Sequence, residues 1–355
     1  MTRHTPPPTI GILGLGTYLP RARRTNAEVA DTLGITQEWI TERTGVRARH
    51  TADSQEAASD LASAAVCRAA AAAGIAPEEI GVLISATSTP DELGPATACR
   101  VQARVNARNA VAFDVSAACS GWLFGTRVAH NWLHGDPTAR YAAVVGVETY
   151  SKFLDPSDRG TAVLFGDGAA AAVLGPVTDG GFTSFQLGSD GTGAHHVLIP
   201  AGGSRRPATD RTVREGAHNV HMDGRAVRDF ITDVFPRLVE DALKNSRLEL
   251  TDLDLIVTHQ PNPVLLRDLG EKIGIPSDRL VIVGDEVGNI GAASAPYALA
   301  AAAARGLLRP GDRVLIAVFG AGLTWGYALL TWTGAASVTD LQPESVPLAG
   351  PPISC

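Results

Sequence analysis

One cysteine lies where a predicted strand meets a predicted helix. The apolar run 110–113 stops at Asp114, the chain turns through Cys119, and a helical pattern of apolar residues runs from Gly121 to Leu133. A thiol at the start of a helix lies near unpaired backbone N–H groups and the positive end of the helix dipole. We therefore predict a lowered pKa and a nucleophilic role for Cys119. The alternative is a buried structural cysteine.

Two polar residues in the second half of the chain are candidate partners of this thiol. His259 follows the predicted strand 253–258, and Asn289 lies in a glycine-containing turn before an Ala-rich helix. Taken singly, each is ordinary, since asparagine is common in turns and a histidine after a strand is usually a satisfied buried residue. A Gly-Ala-Gly turn at 320–322 follows another strand. Its backbone N–H groups can form an oxyanion hole with the Cys119 amide, and the alternative is simple tight packing.

A spacing of 172 residues relates three pairs of positions in the two halves of the chain. Thr87 and His259 each end a predicted strand. Cys119 and Gly291 each open a predicted helix, and Ala142 and Val314 each begin a predicted strand. The repeated offset predicts a duplicated α/β domain with mostly parallel sheets. Functional groups gather at the carboxyl ends of parallel strands. If a pseudo-twofold axis relates the halves, Cys119, His259 and Asn289 converge.

The remaining pattern alternates strands with helices. Strands are predicted at 9–15, 81–87, 141–147, 253–258, 280–283, 313–319 and 324–333, and helices at 26–33, 36–41, 54–73, 96–106, 227–245 and 265–273. Residues 161–174, interrupted by a Gly-Asp-Gly sequence, predict a two-stranded hairpin. Gly14 and Gly16 resemble the start of a dinucleotide-binding motif, but the third glycine is missing and Pro20 stands where a helix should run.

Composition limits the possible classes of protein. The 355 residues are 45% hydrophobic, which suffices for two domains or one doubled domain. A net charge of −7 argues against a general nucleic-acid binder, and no apolar run predicts a membrane span. The Pro-rich residues 1–8 are predicted to be a loose tail and not a signal peptide. The cysteines have no metal-like spacing, so we expect no metal and a reducing, cytoplasmic setting.

Several motifs in combination resemble the β-ketoacyl-acyl carrier protein synthase III family, the initiating ketosynthases of the thiolase superfamily. The matching stretches are residues 16–20 (GTYLP), 39–46 (WITERTGV), 114–122 around the cysteine, 158–161 (DRGT), 165–168 (FGDG), 259–262 (HQPN), 288–294 (GNIGAAS) and 319–326 (FGAGLTWG). The resemblance implies a thiolase-like α/β fold with five layers, α-β-α-β-α, and a homodimer. It implies acyl-CoA and acyl carrier protein as substrate and partner, and no separate cofactor.

The resemblance also implies a reaction in two stages. Cys119 would take an acyl group from a thioester while the backbone amides of Cys119 and Ala321 hold the oxyanion. Malonyl-acyl carrier protein would then lose CO₂. His259 and Asn289 would hydrogen-bond the resulting enolate, which attacks the acyl-cysteine.

For coenzyme A, the resemblance implies that Trp39 and Arg159 sandwich the adenine, with Arg43 beside it. The sequence departs from the family at other contacts. Val264 stands where the family carries an arginine for phosphate and carrier protein, and Arg225 where it carries an asparagine at the pantetheine arm.

Two smaller departures are Pro261 for an alanine and Ala321 for a glycine, of which the second should matter little because the oxyanion hole uses a backbone amide. Four basic residues are candidates for docking the acidic carrier protein, or are ordinary helix-surface charges: Arg225, Arg228, Arg267 and Lys272.

Two functions stay open at this point: condensation, and acyl transfer from Cys119 to a hydroxyl, amine or carrier-protein thiol. Condensation needs a neutral His259 as an N–H donor, whereas activation of an alcohol needs a basic histidine oriented by a carboxylate. Asn289 has donors to offer, which favours condensation. A thiolase would need a second cysteine near 320–322, which is absent.

The predicted organisation has four parts: a tail (1–8), a half that carries the cysteine (9–176), a half that carries the histidine and asparagine (177–333), and a tail (334–355) in which Cys355 has no role. Residues 89–95 are predicted to reach across the dimer. The departures and the extra tail favour a dedicated fatty-acid, polyketide or antibiotic pathway.

Overall fold

The structure is a computed structural model that describes residues 9–334 and Cys355, so the predicted tails lie almost wholly outside the described residues. The strands are β1 (Thr9–Tyr18), β2 (Ala22–Thr25), β3 (Ala48–Thr51), β4 (Ile80–Ala86), β5 (Val111–Val115), β6 (Tyr141–Thr149), β7 (Asp167–Val177), β8 (Gly181–Ser189), β9 (Val197–Leu198), β10 (His221–Met222), β11 (Leu255–Thr258), β12 (Arg313–Gly320) and β13 (Thr324–Thr331). The helices are α1 (Asn26–Leu33), α2 (Gln37–Thr44), α3 (Ala58–Ala73), α4 (Thr97–Arg104), α5 (Gly121–Gly135), α6 (Asp210–Arg214), α7 (Gly224–Ser246), α8 (Pro263–Lys272), α9 (Gly284–Val287) and α10 (Ser294–Ala304).

Two main sheets have the same strand order. The first runs β1-β7-β6-β4-β5 and the second runs β8-β13-β12-β11. A single bridge between Ile256 and Leu280 stands where β5 stands in the first sheet. The matching order is typical of a duplicated domain, and the predicted division at residue 177 falls at the end of β7.

Each sheet is mixed, so the prediction of mostly parallel sheets is wrong. β4 pairs in parallel with β5 and β6, and β11 pairs in parallel with β12. The pairs β6–β7 and β12–β13 are antiparallel. No helical crossover separates the strands of these two pairs, and a parallel connection requires one.

Alternating strand residues build three apolar clusters within five layers of secondary structure. Val82 and Ile84 of β4 pack with α5 and α10, which lie between the two sheets. Leu83 faces the other way and packs with α3 and α4. The second sheet is covered on its outer side by α7 and α8. The five-layered α-β-α-β-α fold that the resemblance implied is therefore confirmed.

The paired glycines of β1 serve helix packing. A Cβ added to Gly14 would lie 2.4 Å from the carbonyl oxygen of Ala69, and one added to Gly16 would lie 2.3 Å from that of Ala65. Both carbonyls belong to the Ala-rich α3, so any larger residue would push the helix off the strand. This close approach accounts for the Gly-x-Gly pattern.

Two predicted elements are not formed. Residues 161–165 make a turn and only β7 follows, so the hairpin predicted over 161–174 is wrong. The turn pairs with the other half of the chain instead, because Asn289 N donates to Leu164 O at 2.8 Å. The strand predicted at 280–283 reduces to the Leu280 bridge, since the amide of Val283 donates to the side chain of Gln260.

The structure also differs from the sequence predictions at the start of α3 and at Cys355. The helix predicted from residue 54 begins at Ala58, after a turn in which Glu56 N donates to Asp53 O. Cys355, to which no role was assigned, is paired with Cys67 of α3 as a disulfide with Cα atoms 5.0 Å apart. Among the described helices, none has the length and apolarity to cross a membrane.

Candidate active site

The two halves present matching turns to each other. A short 3₁₀ turn at Ala118–Ser120 precedes α5, and another at Gly291–Ala293 precedes α10. The turns lie close together, since a Cβ added to Gly121, which directly follows the first turn, would lie 3.8 Å from the Cβ of Ala292 in the second. The 172-residue spacing therefore relates equivalent turns of the fold, as predicted.

The three predicted catalytic side chains line one cavity. Cys119, His259 and Asn289 all contribute to a cavity of about 780 Å³. Its wall also includes the 320–322 turn. The geometry thus brings together the groups that the sequence placed on separate loops.

The glycine turn lies directly against the cysteine. A Cβ added to Gly320 would lie 2.8 Å from the amide nitrogen of Cys119. Thr324 Oγ1 donates to Ala117 O at 3.0 Å, and Ser120 Oγ donates to Thr324 O at 3.3 Å. These bonds fix the turn beside the Cys119 amide, where a substrate oxyanion would have to be held.

The predicted lowering of the Cys119 pKa is wrong. Burial raises the pKa of the Cys119 thiol, and the negative charge of Glu148 raises it further. Cys119 lies on the turn that precedes α5, close to the positive end of the helix dipole that was expected to act on it. Desolvation therefore outweighs the dipole, and the resting residue is a thiol.

Two buried residues near the thiol were missed by the sequence argument. Glu148 is the second-last residue of β6 and accepts hydrogen bonds from Ser88 N (3.1 Å), Thr89 Oγ1 (2.9 Å) and Ala292 N (3.4 Å). Burial raises the pKa of Glu148 to about 8 despite these donors. A carboxylate directly after the apolar residues 141–147 was the available signal for it.

Tyr150 is the second missed residue. It is 5% exposed and lines the same cavity as Cys119. Its ring packs against Phe165 at 4.7 Å between centroids. Burial and the negative charge of Glu148 raise the pKa of Tyr150.

His259 is held neutral. The side chain is 3% exposed and packs edge-on against Phe319 at 5.6 Å between ring centroids. Burial lowers the pKa of His259 to about 3, opposed only by the backbone of Gly291. Within the described part of the chain, its Nδ1 makes no hydrogen bond. A neutral imidazole carries one N–H donor and has no carboxylate here to support a positive charge.

Asn289 is oriented by its own turn. Its Oδ1 accepts a hydrogen bond from Gly291 N at 2.9 Å. The amide oxygen is therefore occupied, which leaves the Nδ2 hydrogens for a ligand in the cavity. Asn289 is thus arranged as a donor.

The three residues implied for coenzyme A lie together on the cavity wall. The guanidinium carbon of Arg159 lies 5.4 Å from the ring centroid of Trp39, and that of Arg43 lies 6.0 Å from it. All three side chains line the cavity. A flat aromatic ring flanked by guanidinium groups suits an anionic nucleotide.

The four candidate docking residues are not equivalent. Arg228 lines the cavity, and Arg225 and Lys272 are exposed on α7 and α8. Arg267 lies 3.8 Å from Asp285, which offsets its charge. Val264 also lines the cavity, so an apolar wall stands where the resemblance implied an arginine.

Two family models match the chain. The model of 3-oxoacyl-[acyl-carrier-protein (ACP)] synthase III matches residues 113–191, and the model of its C-terminal part matches residues 243–332. β-Ketoacyl-[acyl-carrier-protein] synthase III of Caldanaerobacter subterraneus subsp. tengcongensis is 41% identical over 324 residues, which cover 91% of this chain and 98% of that protein.

Solved structures have the same fold. The 3-oxoacyl-(acyl carrier protein) synthase III of Pseudomonas aeruginosa PAO1 superposes with a TM-score of 0.85 at 38% identity, covering 92% of this chain and 98% of that chain. The priming β-ketosynthase of the R1128 polyketide biosynthetic pathway gives a TM-score of 0.84 at 30% identity, covering 94% of this chain and 100% of that chain.

Proposed function

The chain belongs to the β-ketoacyl-[acyl-carrier-protein] synthase III family, and from that premise we propose that it condenses an acyl group, held on Cys119, with malonyl-acyl carrier protein. The observation that carries the proposal is the convergence of Cys119, His259 and Asn289 on one cavity. A nucleophile beside two neutral N–H donors suits an acyl-enzyme followed by an enolate.

The first stage loads the acyl group. The Cys119 sulfur attacks the thioester carbonyl of the acyl donor, and the free thiol of the donor leaves with the proton that Cys119 gives up. The backbone amides of Cys119 and Ala321 hold the oxyanion of the tetrahedral intermediate. The contact between the 320–322 turn and the Cys119 amide supports this assignment.

The second stage forms the carbon–carbon bond. The malonyl carboxylate leaves as CO₂, and its electron pair forms an enolate whose oxygen accepts hydrogen bonds from His259 and Asn289. The enolate carbon then attacks the acyl-cysteine. Cys119 leaves as a thiolate and is reprotonated, and the product is a β-ketoacyl-carrier protein. The neutral state of His259 supports its role as a donor.

Acyl transfer without condensation is not favoured. That reaction would use His259 as a general base, but a pKa of about 3 makes the imidazole a weak one near neutral pH. The asparagine beside it is arranged to donate and cannot stabilise an imidazolium. No feature of the cavity supports this second function.

The partners and setting follow from the family and stay proposals. The chain would use acyl-CoA as donor, with its adenine between Trp39 and Arg159, and would need no separate cofactor. A homodimer is supported by β5, which has a hydrogen-bonded neighbour on one side only within the described residues. A cytoplasmic setting remains a prediction. A dedicated polyketide or fatty-acid pathway is supported by the departures at Val264 and Arg225.

Mass spectrometry of a complete turnover tests the proposal. The protein is incubated with a mixture of short acyl-CoAs, the adduct is located, and malonyl-acyl carrier protein is then added. We expect an acyl adduct on Cys119 and a β-ketoacyl-carrier product that has lost CO₂. Cys119→Ala should abolish the adduct.

The other outcomes are equally informative. An adduct that persists in Cys119→Ala would refute the assignment of the nucleophile. A stable acyl-Cys119 that does not react with malonyl-acyl carrier protein would refute condensation and favour another acceptor.

A further inference from the structure

A carboxyl group is buried between the two halves of the site without a basic partner. Glu148, the second-last residue of β6, is 0% exposed and does not line the cavity. Within the described part of the chain, it forms no ion pair with a basic side chain. A buried carboxyl group is costly unless its oxygens are hydrogen-bonded, so its contacts indicate what it does.

The oxygens of Glu148 join a loop of the first half to a turn of the second. In the half that carries the cysteine, they accept hydrogen bonds from Ser88 N at 3.1 Å and from Thr89 Oγ1 at 2.9 Å. In the other half, Oε1 accepts from Ala292 N at 3.4 Å. Ala292 belongs to the turn that precedes α10, so the carboxyl group bridges the junction between the halves.

Strand β6 and the 291–293 turn pack closely at this junction. A Cβ added to Gly146 would lie 2.3 Å from Ala292 O, and one added to Gly291 would lie 2.6 Å from Cγ of Glu148. Because the side chains of a strand alternate, Gly146 and Glu148 face the same way. Gly291 also has a φ of +50°, which favours glycine. The turn therefore rests against β6 and against the Glu148 side chain.

The same turn orients a donor for the second stage. Gly291 N donates to Oδ1 of Asn289 at 2.9 Å, which leaves the Nδ2 hydrogens for an enolate. The N–H group of Ala292, which donates to Glu148, is the next one along the chain. A displacement of the turn would therefore move the Asn289 amide. The turn at 320–322 is fixed to the Cys119 segment by separate hydrogen bonds.

We propose that Glu148 is a positioning residue, which fixes the 291–293 turn against the half that carries the cysteine and thereby sets Asn289 in place for the second stage. The inference rests on the proposed function, because only a condensing enzyme needs Asn289 to hold an enolate. Glu148 acts through the turn, since it lies outside the cavity wall. Its role requires an acceptor oxygen and not a charge, because a carboxyl group keeps an acceptor oxygen in either protonation state.

The test compares Glu148→Gln with Glu148→Leu in the full-length protein. Both replacements are uncharged and similar in size to glutamate, so the difference between them reports the hydrogen bonds. Glutamine keeps an acceptor oxygen for Ala292 N, and its NH₂ group can donate to Thr89 Oγ1. Loading is measured as CoA release from acyl-CoA, and the second stage as CO₂ release from malonyl-acyl carrier protein by the acylated protein.

We expect Glu148→Leu to slow CO₂ release by about 100-fold, since a small misplacement of a catalytic group has an effect of that size. Loading should continue at nearly the unmodified rate, so the ratio of CO₂ release to loading falls. Glu148→Gln should keep this ratio close to that of the unmodified protein. A purely structural role would lower Tm and change both rates together.

Asp167→Val is the matched control. Asp167 is also 0% exposed, and it accepts hydrogen bonds from Ala52 N and Ser151 N. Within the described residues, none of its hydrogen bonds reaches the 291–293 turn. The replacement removes a buried carboxyl group from the same half of the chain, so Tm should fall and the ratio of the two rates should stay unchanged.

An unchanged ratio in folded Glu148→Leu would overturn the inference, and so would a Glu148→Gln protein that is as deficient as the leucine variant. If Glu148→Leu does not fold, Thr89→Val removes a donor to the carboxyl group and should lower the ratio by a smaller factor. An unchanged ratio in that variant would again refute the role. An unmodified protein that loads Cys119 but releases no CO₂ would refute the proposed function, and this inference with it, so the two failures are distinguishable.

Discussion

At the scale of the residue, the protonation state of His259 decides between two kinds of chemistry. The structure gives this side chain no carboxylate partner at Nδ1 within the described residues, and its pKa is lowered to about 3 by burial. Because the folded protein disfavours the charged form, the imidazole is neutral throughout the range in which an enzyme of this kind would work. A donor role needs only an N–H group, which another side chain can supply.

We therefore expect His259→Gln to retain more condensing activity than His259→Ala. Glutamine keeps an N–H donor, whereas alanine loses it, and loss of one preorganised donor of this kind costs about 10²–10³ in rate. The measurement is CO₂ release from malonyl-acyl carrier protein, with self-acylation of Cys119 measured in parallel as the control that both variants should leave unchanged.

The pH profile gives a further check on the same residue. With a pKa of about 3, His259 should add no step to the rate of CO₂ release between pH 5 and 8. Equal loss of activity in the glutamine and alanine variants, with a rate that falls as pH decreases through about 6.5, would instead indicate a general base.

At the scale of the element, the active site depends on two turns that lie against each other, and they can do so because one of them has a glycine at the contact. Gly320 ends β12, and the Cβ that it lacks would lie 2.8 Å from the amide of Cys119 and 3.1 Å from that of Ser120. The neighbours are backbone atoms, which cannot rotate away. This glycine is required by the contact between the two halves of the site.

We expect Gly320→Ala to slow loading by about 100-fold or more, because the methyl group would displace one wall of the oxyanion hole. Overpacking of this kind also costs about 1–3 kcal/mol of stability. The measurement is the single-turnover release of CoA from acyl-CoA, together with Tm. Gly203→Ala is the matched control, since nothing lies within 4 Å of its added Cβ. Loading at the unmodified rate in folded Gly320→Ala would contradict the assignment of this turn.

The elements themselves differ in how far they could be predicted. Cys119, His259 and Asn289 stand at strand ends and helix starts, and the repeated spacing of 172 residues predicts corresponding strand ends and helix starts in the two halves. A pattern of this sort survives because duplication preserves the order of elements.

The features that the sequence did not predict depend on contacts between distant parts of the chain. The turn at 161–165 pairs with Asn289 and not with its own neighbour, so local pattern predicted a hairpin that does not form. The pKa of Cys119 is set by burial and by Glu148, neither of which can be derived from the helix that follows the cysteine. Tyr150 was missed because only the fold brings it to the wall of the cavity that Cys119 lines.

At the scale of the whole molecule, the first sheet ends in a strand that exposes apolar side chains. β5 is an edge strand, and its first residue, Val111, is 49% exposed. Leu93, in the segment predicted to reach across a dimer, is 86% exposed. Edge strands of this kind are usually protected by charge, by a cover or by pairing with another chain. Pairing of β5 with its copy across a twofold axis would satisfy both the strand and the proposed homodimer.

We expect Val111→Lys to shift the protein from dimer to monomer. A lysine at the start of β5 would place a charge in the paired edge, a device by which natural proteins block edge-to-edge association. The measurement is molar mass by size-exclusion chromatography with light scattering, over a range of protein concentrations. Leu307→Lys is the matched control, because Leu307 is equally exposed at 49% but lies after α10 and away from β5.

The rate of Cys119 acylation, measured on the same samples, tests whether dimerisation affects the active site. Residues 89–95 follow directly on Ser88, which lines the cavity, so a partner that packs on this segment would also shape the neighbouring wall. Monomeric Val111→Lys should therefore acylate Cys119 more slowly than the control, with a rate that recovers as concentration drives dimerisation. A Val111→Lys protein that remains dimeric would place the interface elsewhere, and a fully active monomer would mean that each cavity is complete within a single chain.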